Sequence, residues 1–161
     1  MVLAVMEIVV VVTVMLVGGD NTGDDCPAGF VNLSGRCYLF SEQLGESPRT
    51  QVQAKMFCQV VGGDLATVGH SAPSEADPVL KYMFDNGLAE DYVYLGAERS
   101  GSHYVWTDGR TLSVHSHLWE YDDPDGNGED CVGAITHNDY NRVYLVDGFC
   151  NYDWRFVCEK M

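Results

Sequence analysis

Thirteen residues in the C-terminal half of the chain carry a dense cluster of acidic side chains. Residues 119–131 read WEYDDPDGNGEDC, with six acids and no Lys or Arg, so they hold a quarter of the chain's 24 acids. Like charges at this density repel, and a folded, non-helical cluster needs a counter-charge. Calcium fits, because it takes about six to eight oxygen ligands in a flexible geometry. The alternative is a solvated acidic loop without metal.

The remaining residues with catalytic side chains do not form a catalytic pattern. Ser102 and His103 are neighbours in sequence, which does not place the hydroxyl on the imidazole, and no Gly-x-Ser-x-Gly turn occurs. His115 and His117 could share a strand face, but two lone ligands are usually a surface pair. Two carboxylates for glycoside hydrolysis can be drawn from any acidic loop. We therefore do not expect the chain to be an enzyme.

Composition excludes some partners and indicates one folded domain. The chain has 161 residues, with 9 Lys plus Arg against 24 Asp plus Glu, and a net charge of −15. Nucleic acid is not expected as a partner, because phosphate binding needs clustered cations. Electrostatic attraction to an anionic membrane is disfavoured for the same reason. Hydrophobic residues make up 46% and charged residues 20%, which distinguishes the chain from a disordered acidic tail.

The first 19 residues have the pattern of a secretory signal peptide. Residues 8–17 are almost wholly apolar, and this run is shorter than the about 20 apolar residues of a membrane span. Glu7 stands where a basic residue is usual. We predict cleavage near Gly19 and a secreted protein without a membrane anchor; the alternative is an uncleaved anchor. The predicted organisation is a signal peptide at 1–19, a short linker at 20–25 and one domain at 26–161.

Six cysteines follow the predicted cleavage site. An even number behind a signal peptide predicts three disulfides in an oxidising compartment, although six cysteines allow fifteen pairings and spacing does not choose among them. No Cys-x2–4-Cys pair exists, so zinc is not favoured. Asn32 begins an Asn-Leu-Ser acceptor triplet, which predicts glycosylation if the chain is secreted. The cysteines are Cys26, Cys37, Cys58, Cys131, Cys150 and Cys158.

Two segments have helical periodicity and are expected to bury an apolar face. The first is predicted from about Arg49 to Val61, with a Ser47 cap and Pro48 in the first turn. The second is predicted from about Pro78 to Asn86, with Asp77 as cap and Gly87 as stop. Predicted core residues are Val52, Met56 and Val60, with Ala54, Phe57, Cys58 and Val61, in the first helix, and Val79, Leu80, Met83 and Phe84 in the second.

Short β-favouring runs separated by loops rich in Gly, Asp and Asn follow Gly87. Helices first and strands later predict an α+β fold, not an alternating βαβ sheet. The predicted strand segments are 92–95, 104–106, 132–135, 142–145 and 154–157.

An ordered set of separated motifs makes Cys26 to Glu159 resemble the C-type lectin-like domain. The motifs are Cys26-Pro-x-Gly-Phe and Cys37-Tyr; Phe57-Cys58 and Gly62-Gly-Asp-Leu-Ala; Val93-Tyr-Leu-Gly; Trp106-Thr-Asp-Gly; Trp119, Pro124 and Glu129-Asp-Cys; and Cys150 with Phe156-Val-Cys-Glu. The resemblance implies a double-loop α+β fold in which two helices flank short antiparallel sheets and the ends are held together. It also implies three disulfides, Cys26–Cys37, Cys58–Cys158 and Cys131–Cys150.

The resemblance also implies one calcium site, which binds sugar hydroxyls directly in the sugar-binding members. The matching triplet is Asp123-Pro124-Asp125, whose proline is expected in the cis form. Glu129 matches the later acid of the pattern, and Leu145-Val146-Asp147 stands where the family has Trp-Asn-Asp. The implied calcium ligands and carbohydrate-binding residues are Asp123, Asp125, Glu129 and Asp147.

Two departures from the family pattern bear on sugar binding. Both outer residues of the triplet are carboxylates, and Val146 removes an amide. Carboxylates accept hydrogen bonds but do not donate them, whereas Asn does both. We therefore expect calcium binding more firmly than sugar binding, and the triplet does not indicate a sugar class.

Two functions follow from the resemblance. The first is a secreted, calcium-dependent lectin that binds microbial or cell-surface glycans in innate immunity. The alternative is a sugar-inactive or calcium-independent module that binds a protein partner.

Overall fold

The computed structural model describes residues 26–161, and the predicted signal peptide and linker lie outside this range. The described chain has the expected α+β composition, and none of its helices is long and apolar enough to cross a membrane. The elements are β1 (Val31–Leu33), β2 (Arg36–Phe40), α1 (Gln51–Val60), β3 (Gly63–Leu65), α2 (Pro78–Asp85), β4 (Val93–Ser100), β5 (His103–Trp106), β6 (Thr111–Leu112), β7 (Cys131–His137), a 3-10 helix (Asn138–Tyr140), β8 (Arg142–Gly148) and β9 (Arg155–Lys160).

The last strand joins the two halves of the sheet. β9 pairs antiparallel with β2 and β3, and parallel with β4. Because β2 and β9 lie near the two ends of the domain, their pairing confirms that the ends are held together. Gly96 adds a close contact between the halves, since its backbone N–H donates to the Ala66 carbonyl at 2.8 Å.

The second half of the sheet carries the acidic segment at its margin. β4 pairs with both β5 and β7, and β7 pairs with β8 from Cys131↔Gly148 to His137↔Arg142. Residues 113–130 connect β6 to β7 and contain no strand, apart from an isolated bridge between Trp119 and Leu145. The Trp119 side chain is buried in the core, and its indole N–H donates to the Ser113 carbonyl at 2.8 Å within the same connection.

Helix α1 starts later than predicted. Thr50 is the N-cap, and its backbone N–H donates to the Gln53 side chain at 3.3 Å. The predicted Ser47 cap and the start near Arg49 are wrong, because Arg49 forms an extended bridge with Trp154 through two backbone hydrogen bonds. Pairing with a distant segment therefore overrides the local capping signal.

The predicted apolar stripe of α1 is also wrong in part. Val52, Met56 and Val60 are 62%, 60% and 87% exposed. Ala54 and Cys58 are fully buried instead. The disulfide from Cys58 to β9 turns the face of Ala54 and Cys58 toward the sheet. The face with Val52, Met56 and Val60 therefore points to solvent, although its four-residue spacing is that of a buried stripe.

Helix α2 follows its prediction closely. The Asp77 side chain accepts hydrogen bonds from the backbone N–H groups of Val79 and Leu80, at 2.9 and 3.2 Å. The helix ends at Asp85, one residue before the predicted end. Val79, Leu80 and Met83 are buried, and Phe84 is partly buried against the same core.

The three disulfides are Cys26–Cys37, Cys58–Cys158 and Cys131–Cys150, as the resemblance implied. The first closes the β1–β2 hairpin, and the second closes a loop of 100 residues, for which chain-entropy models give the largest stabilisation. The third joins the start of β7 to the segment after β8, next to the acidic cluster. This third disulfide thus ties the residue that follows Asp130 to the segment that follows Asp147.

Candidate metal centre

Three of the four predicted ligand residues converge on one point. Asp125, Glu129 and Asp147 each place a carboxylate oxygen within 4.8 Å of the others. Calcium binds oxygen at about 2.3–2.6 Å, so oxygens on opposite sides of one ion are about 5 Å apart. Asp125 and Glu129 come from the connection before β7, whereas Asp147 comes from β8, and the β7–β8 pairing brings the two segments together.

Asp123 lies beside this group without being one of the three convergent residues. Burial, the charges of Asp147 and Glu120 and a hydrogen bond with Asp147 raise the pKa of Asp123 to about 7. The Asp123–Pro124 peptide bond is cis, as the resemblance implied. All four predicted acids therefore lie in one cluster, in which Asp123 is half-buried beside the three convergent residues.

Asp147 is the buried anchor of the cluster. Its side chain has no exposed surface. Its Oδ2 atom accepts a hydrogen bond from the Tyr104 hydroxyl at 2.9 Å, and its Oδ1 accepts from the Asp125 backbone N–H at 3.3 Å. A buried carboxylate needs such donors, because an unpaired charge would be strongly unfavourable there. The second contact also ties the triplet loop to β8.

Two residues of this site are not predicted from the sequence. Arg99 on β4 forms ion pairs with Asp130 at 3.2 Å and with Asp147 at 3.4 Å. Tyr104 on β5 donates to Asp147 and contacts the Glu129 carbonyl at 3.2 Å. Neither belongs to a local motif, and both lie more than twenty positions before the nearest acid they contact. Only the pairing of β4 with β5 and β7 brings them to the cluster.

Asn127 supplies an amide at the exposed edge of the site. Its side-chain nitrogen donates to Asp125 Oδ2 at 2.6 Å, and its backbone N–H donates to Asp125 Oδ1 at 3.1 Å. The family pattern places amides in the triplet and at position 146, so the amide of Asn127 was not predicted. Val146 itself is 4% exposed, so its apolar side chain is packed inside and offers no ligand atom.

The donor set fits calcium. It consists of carboxylate oxygens, which hard cations prefer, and no His or Cys belongs to the convergent group of residues 26–161. Burial, followed by the charges of Asp147 and Asp125, also raises the pKa of Glu129, so the neighbouring carboxylates repel one another. A bound cation would remove this repulsion.

The predicted glycosylation residue lies far from these acids in the sequence, on β1. The Asn32 side-chain oxygen accepts a hydrogen bond from the Gly35 backbone N–H at 2.9 Å, within the β1–β2 hairpin. Glycosylation of Asn32 stays a prediction.

Comparison with known proteins identifies the family. A family model described as the lectin C-type domain matches residues 47–160. Asialoglycoprotein receptor 2 of Mus musculus is 28% identical over 148 residues, which make up 87% of this chain but 44% of the relative. The chain therefore spans less than half of that relative's length.

Two further similarities extend over most of both proteins. One chain of the snaclec coagulation factor IX/factor X-binding protein of Gloydius halys is 26% identical over 149 residues, covering 86% of this chain and 87% of the snaclec chain. The C-type lectin domain of murine dendritic cell inhibitory receptor 2, solved in complex with an N-glycan, is 18% identical with a TM-score of 0.66, covering 84% of this chain and 98% of that domain. The family match, the fold and the disulfides agree, and the chain belongs to the C-type lectin domain family.

Proposed function

We propose that this protein is a secreted, calcium-dependent carbohydrate-binding domain, with Asp123, Asp125, Glu129 and Asp147 as its calcium ligands and glycan-binding residues. The observation that carries the proposal is the convergence of three carboxylate oxygens within 4.8 Å, with Asp123 beside them. Microbial or cell-surface glycans are the proposed ligands, with a role in innate immunity. The proposed action is binding without a chemical step.

The side chains of the site have distinct roles in this proposal. Bound calcium would supply coordination positions for two neighbouring sugar hydroxyls. The carboxylates of Asp123, Asp125 and Glu129 accept hydrogen bonds from the hydroxyl hydrogens, while buried Asp147 anchors the site. The Asn127 amide is a donor for a hydroxyl lone pair, which carboxylates cannot satisfy. This donor partly replaces the amides that the triplet and position 146 lack.

The names of two similar proteins support this proposal. Asialoglycoprotein receptor 2 is named for a glycoprotein ligand, and the domain of dendritic cell inhibitory receptor 2 was solved with an N-glycan. A lone carbohydrate site is typically weak, so strong retention on a glycan surface needs several copies.

Binding to glycan-coated beads tests the proposal. The secreted protein is applied to beads carrying different glycans, in calcium and in chelator, and calcium uptake is measured separately by calorimetry. We expect retention on at least one glycan class that disappears in chelator. Calcium uptake without retention on any glycan would contradict the sugar half of the proposal, and no uptake would contradict the calcium half.

A protein-binding module is the second candidate function, and the burial of Val146 favours it. This position holds an amide ligand in the sugar-binding pattern, and here it holds a packed apolar side chain. The similar snaclec is named as binding coagulation factors IX and X. Glycan retention that depends on calcium would exclude this candidate as the main function.

A further inference from the structure

Arg99 places a fixed positive charge against the acidic cluster. Its guanidinium contacts Asp130 at 3.2 Å, Asp147 at 3.4 Å and the Glu129 carbonyl at 3.4 Å. The guanidinium also lies over the Tyr104 ring, 4.8 Å from the ring centre, and donates to the Tyr104 hydroxyl at 2.6 Å. The backbone N–H of Arg99 donates to the Asp130 carbonyl at 2.7 Å, so main chain and side chain hold the same segment.

Arg99 differs from the other Lys and Arg side chains of residues 26–161 in the acids that it contacts. In this range, Arg99 is the one Lys or Arg that forms an ion pair with Asp130 or Asp147, whereas Lys55, for example, pairs with Glu98 at 3.7 Å. The Arg99 side chain is 24% exposed and that of Asp147 is not exposed at all. Solvent and salt therefore screen this pair much less than a surface pair.

We propose that Arg99 is a built-in counter-ion that holds the calcium ligands in place when no metal is bound. The buried Asp147 needs a positive partner in the metal-free protein, and Arg99 supplies it while also fixing Glu129 and Asp130 through their carbonyl and carboxylate oxygens. Arg99 and calcium offset the same carboxylates, so each contributes less to stability when the other is present.

The calcium half of this inference rests on the proposed function, but the pairing of Arg99 with Asp147 does not. Two separate comparisons therefore test the two halves of the proposal for Arg99. The first is a double-mutant cycle in chelator with Arg99→Met, Asp147→Asn and the double variant, followed by thermal unfolding. The second repeats the melting of the wild type and Arg99→Met in saturating calcium. Arg99→Lys keeps the charge, and Lys55→Met removes a cation that does not contact the cluster.

In chelator, Arg99→Met is expected to lower the melting temperature by about 4 °C or more. The decrease in melting temperature that Arg99→Met causes should be clearly smaller in the Asp147→Asn background. It should also be smaller in calcium than in chelator. Arg99→Lys should recover part of the loss, and Lys55→Met should show the same small effect with and without calcium.

An equal loss in both backgrounds and both conditions would overturn the proposal, because Arg99 would then act only through its packing on Tyr104. No loss in chelator would overturn it as well. If the wild type takes up no calcium, the proposed function fails on its own, while a smaller loss in the Asp147→Asn background still supports the role of Arg99.

Discussion

The Tyr104 hydroxyl donates a hydrogen bond to the buried carboxylate of Asp147 across 2.9 Å. Tyr104 lies on β5 and Asp147 on β8, so this bond joins two strands that do not pair with each other. The same hydroxyl contacts the Glu129 carbonyl at 3.2 Å. One phenol thus orients both a proposed ligand and the backbone of another. Burial and its contact with Asp147 raise the pKa of Tyr104, which favours the protonated hydroxyl that donates this bond.

Tyr104→Phe should therefore weaken both stability and calcium binding. The variant keeps the ring but removes the donor from a buried carboxylate, which costs about 1–3 kcal/mol in the free energy of unfolding. Loss of a partner that orients a metal ligand typically lowers metal affinity about ten- to hundredfold. Denaturant unfolding and calcium calorimetry measure the two effects. Tyr82→Phe is the matched control, because its hydroxyl accepts only an exposed hydrogen bond from Gln43; an equal effect in both variants would contradict the prediction.

Single amide substitutions of the acids should map the calcium site. Asp125→Asn, Glu129→Gln and Asp147→Asn each remove one charge from the convergent group, and each should lower calcium affinity by at least about tenfold. Calorimetry of each variant is the measurement. Asp139→Asn is the control, since Asp139 lies in the turn at the opposite end of the β7–β8 hairpin. Unchanged affinity in all three variants would place the metal elsewhere.

The metal-free protein should lose stability as the pH rises toward neutral. The pKa of Asp123 is raised to about 7 in the folded protein, against 3.8 as its ordinary value. Between these values the unfolded chain has already released the proton that the folded state retains, so rising pH favours unfolding. The neutral variant Asp123→Asn should flatten this dependence and melt above the wild type at pH 7 in chelator. Melting curves from pH 4 to 8 test this, and parallel curves for the two proteins would refute it.

Val146→Asn tests whether the missing amide limits sugar binding. An amide at this buried position costs about 1–3 kcal/mol in stability, but it adds both a donor and an oxygen to the segment before Asp147. We expect more protein retained on glycan beads in calcium. Val146→Ala is the control, because it also perturbs the packing at this position but adds neither a donor nor an oxygen. Unchanged retention of Val146→Asn would show that this amide is not what limits binding.

Gly96→Ala should destabilise the frame that carries the site. An added Cβ atom would lie 2.3 Å from the Leu65 carbonyl oxygen, a backbone atom that cannot move away easily. Overpacking of this kind costs about 1–3 kcal/mol or more. Denaturant unfolding measures the loss, and Ser100→Ala at the exposed end of β4 should leave stability nearly unchanged. A normal unfolding midpoint for Gly96→Ala would contradict the close contact between the two halves of the sheet.

The sequence predicts features whose signals are local. Asp77 and Pro78 define the start of α2, and β-favouring runs locate parts of the strands β4, β5, β7, β8 and β9. The disulfide pairing was not decided by spacing and came from the family resemblance. The face of α1 was predicted wrongly, because Val52 and Met56 repeat every four residues as a buried stripe would. The pairing of Cys58 with Cys158, which decides the face, is a contact across the whole domain.

The acids of the site are predictable from the sequence, whereas the residues that surround them are not. Asp123, Asp125 and Glu129 stand in a short segment whose charge density is visible in the sequence. Arg99 and Tyr104 carry no such signal, because their role depends on how β4 and β5 lie beside β7. The cation and the hydroxyl donor that distant strands bring to the acids are therefore the part of the site that only the three-dimensional structure reveals.

Residues 113–130 lie outside the strand pairing that holds the fold together, and this position bears on how related proteins can differ. The scaffold is held by the pairing of β9 with β2, β3 and β4, and residues 113–130 take no part in it. Substitutions in the loop at 123–125 therefore leave the pairing of β9 intact, and the proposed ligand preference can change there without a change of fold. Arg99, in contrast, lies on β4, which pairs with β9, so its replacement affects the proposed binding site and the sheet together.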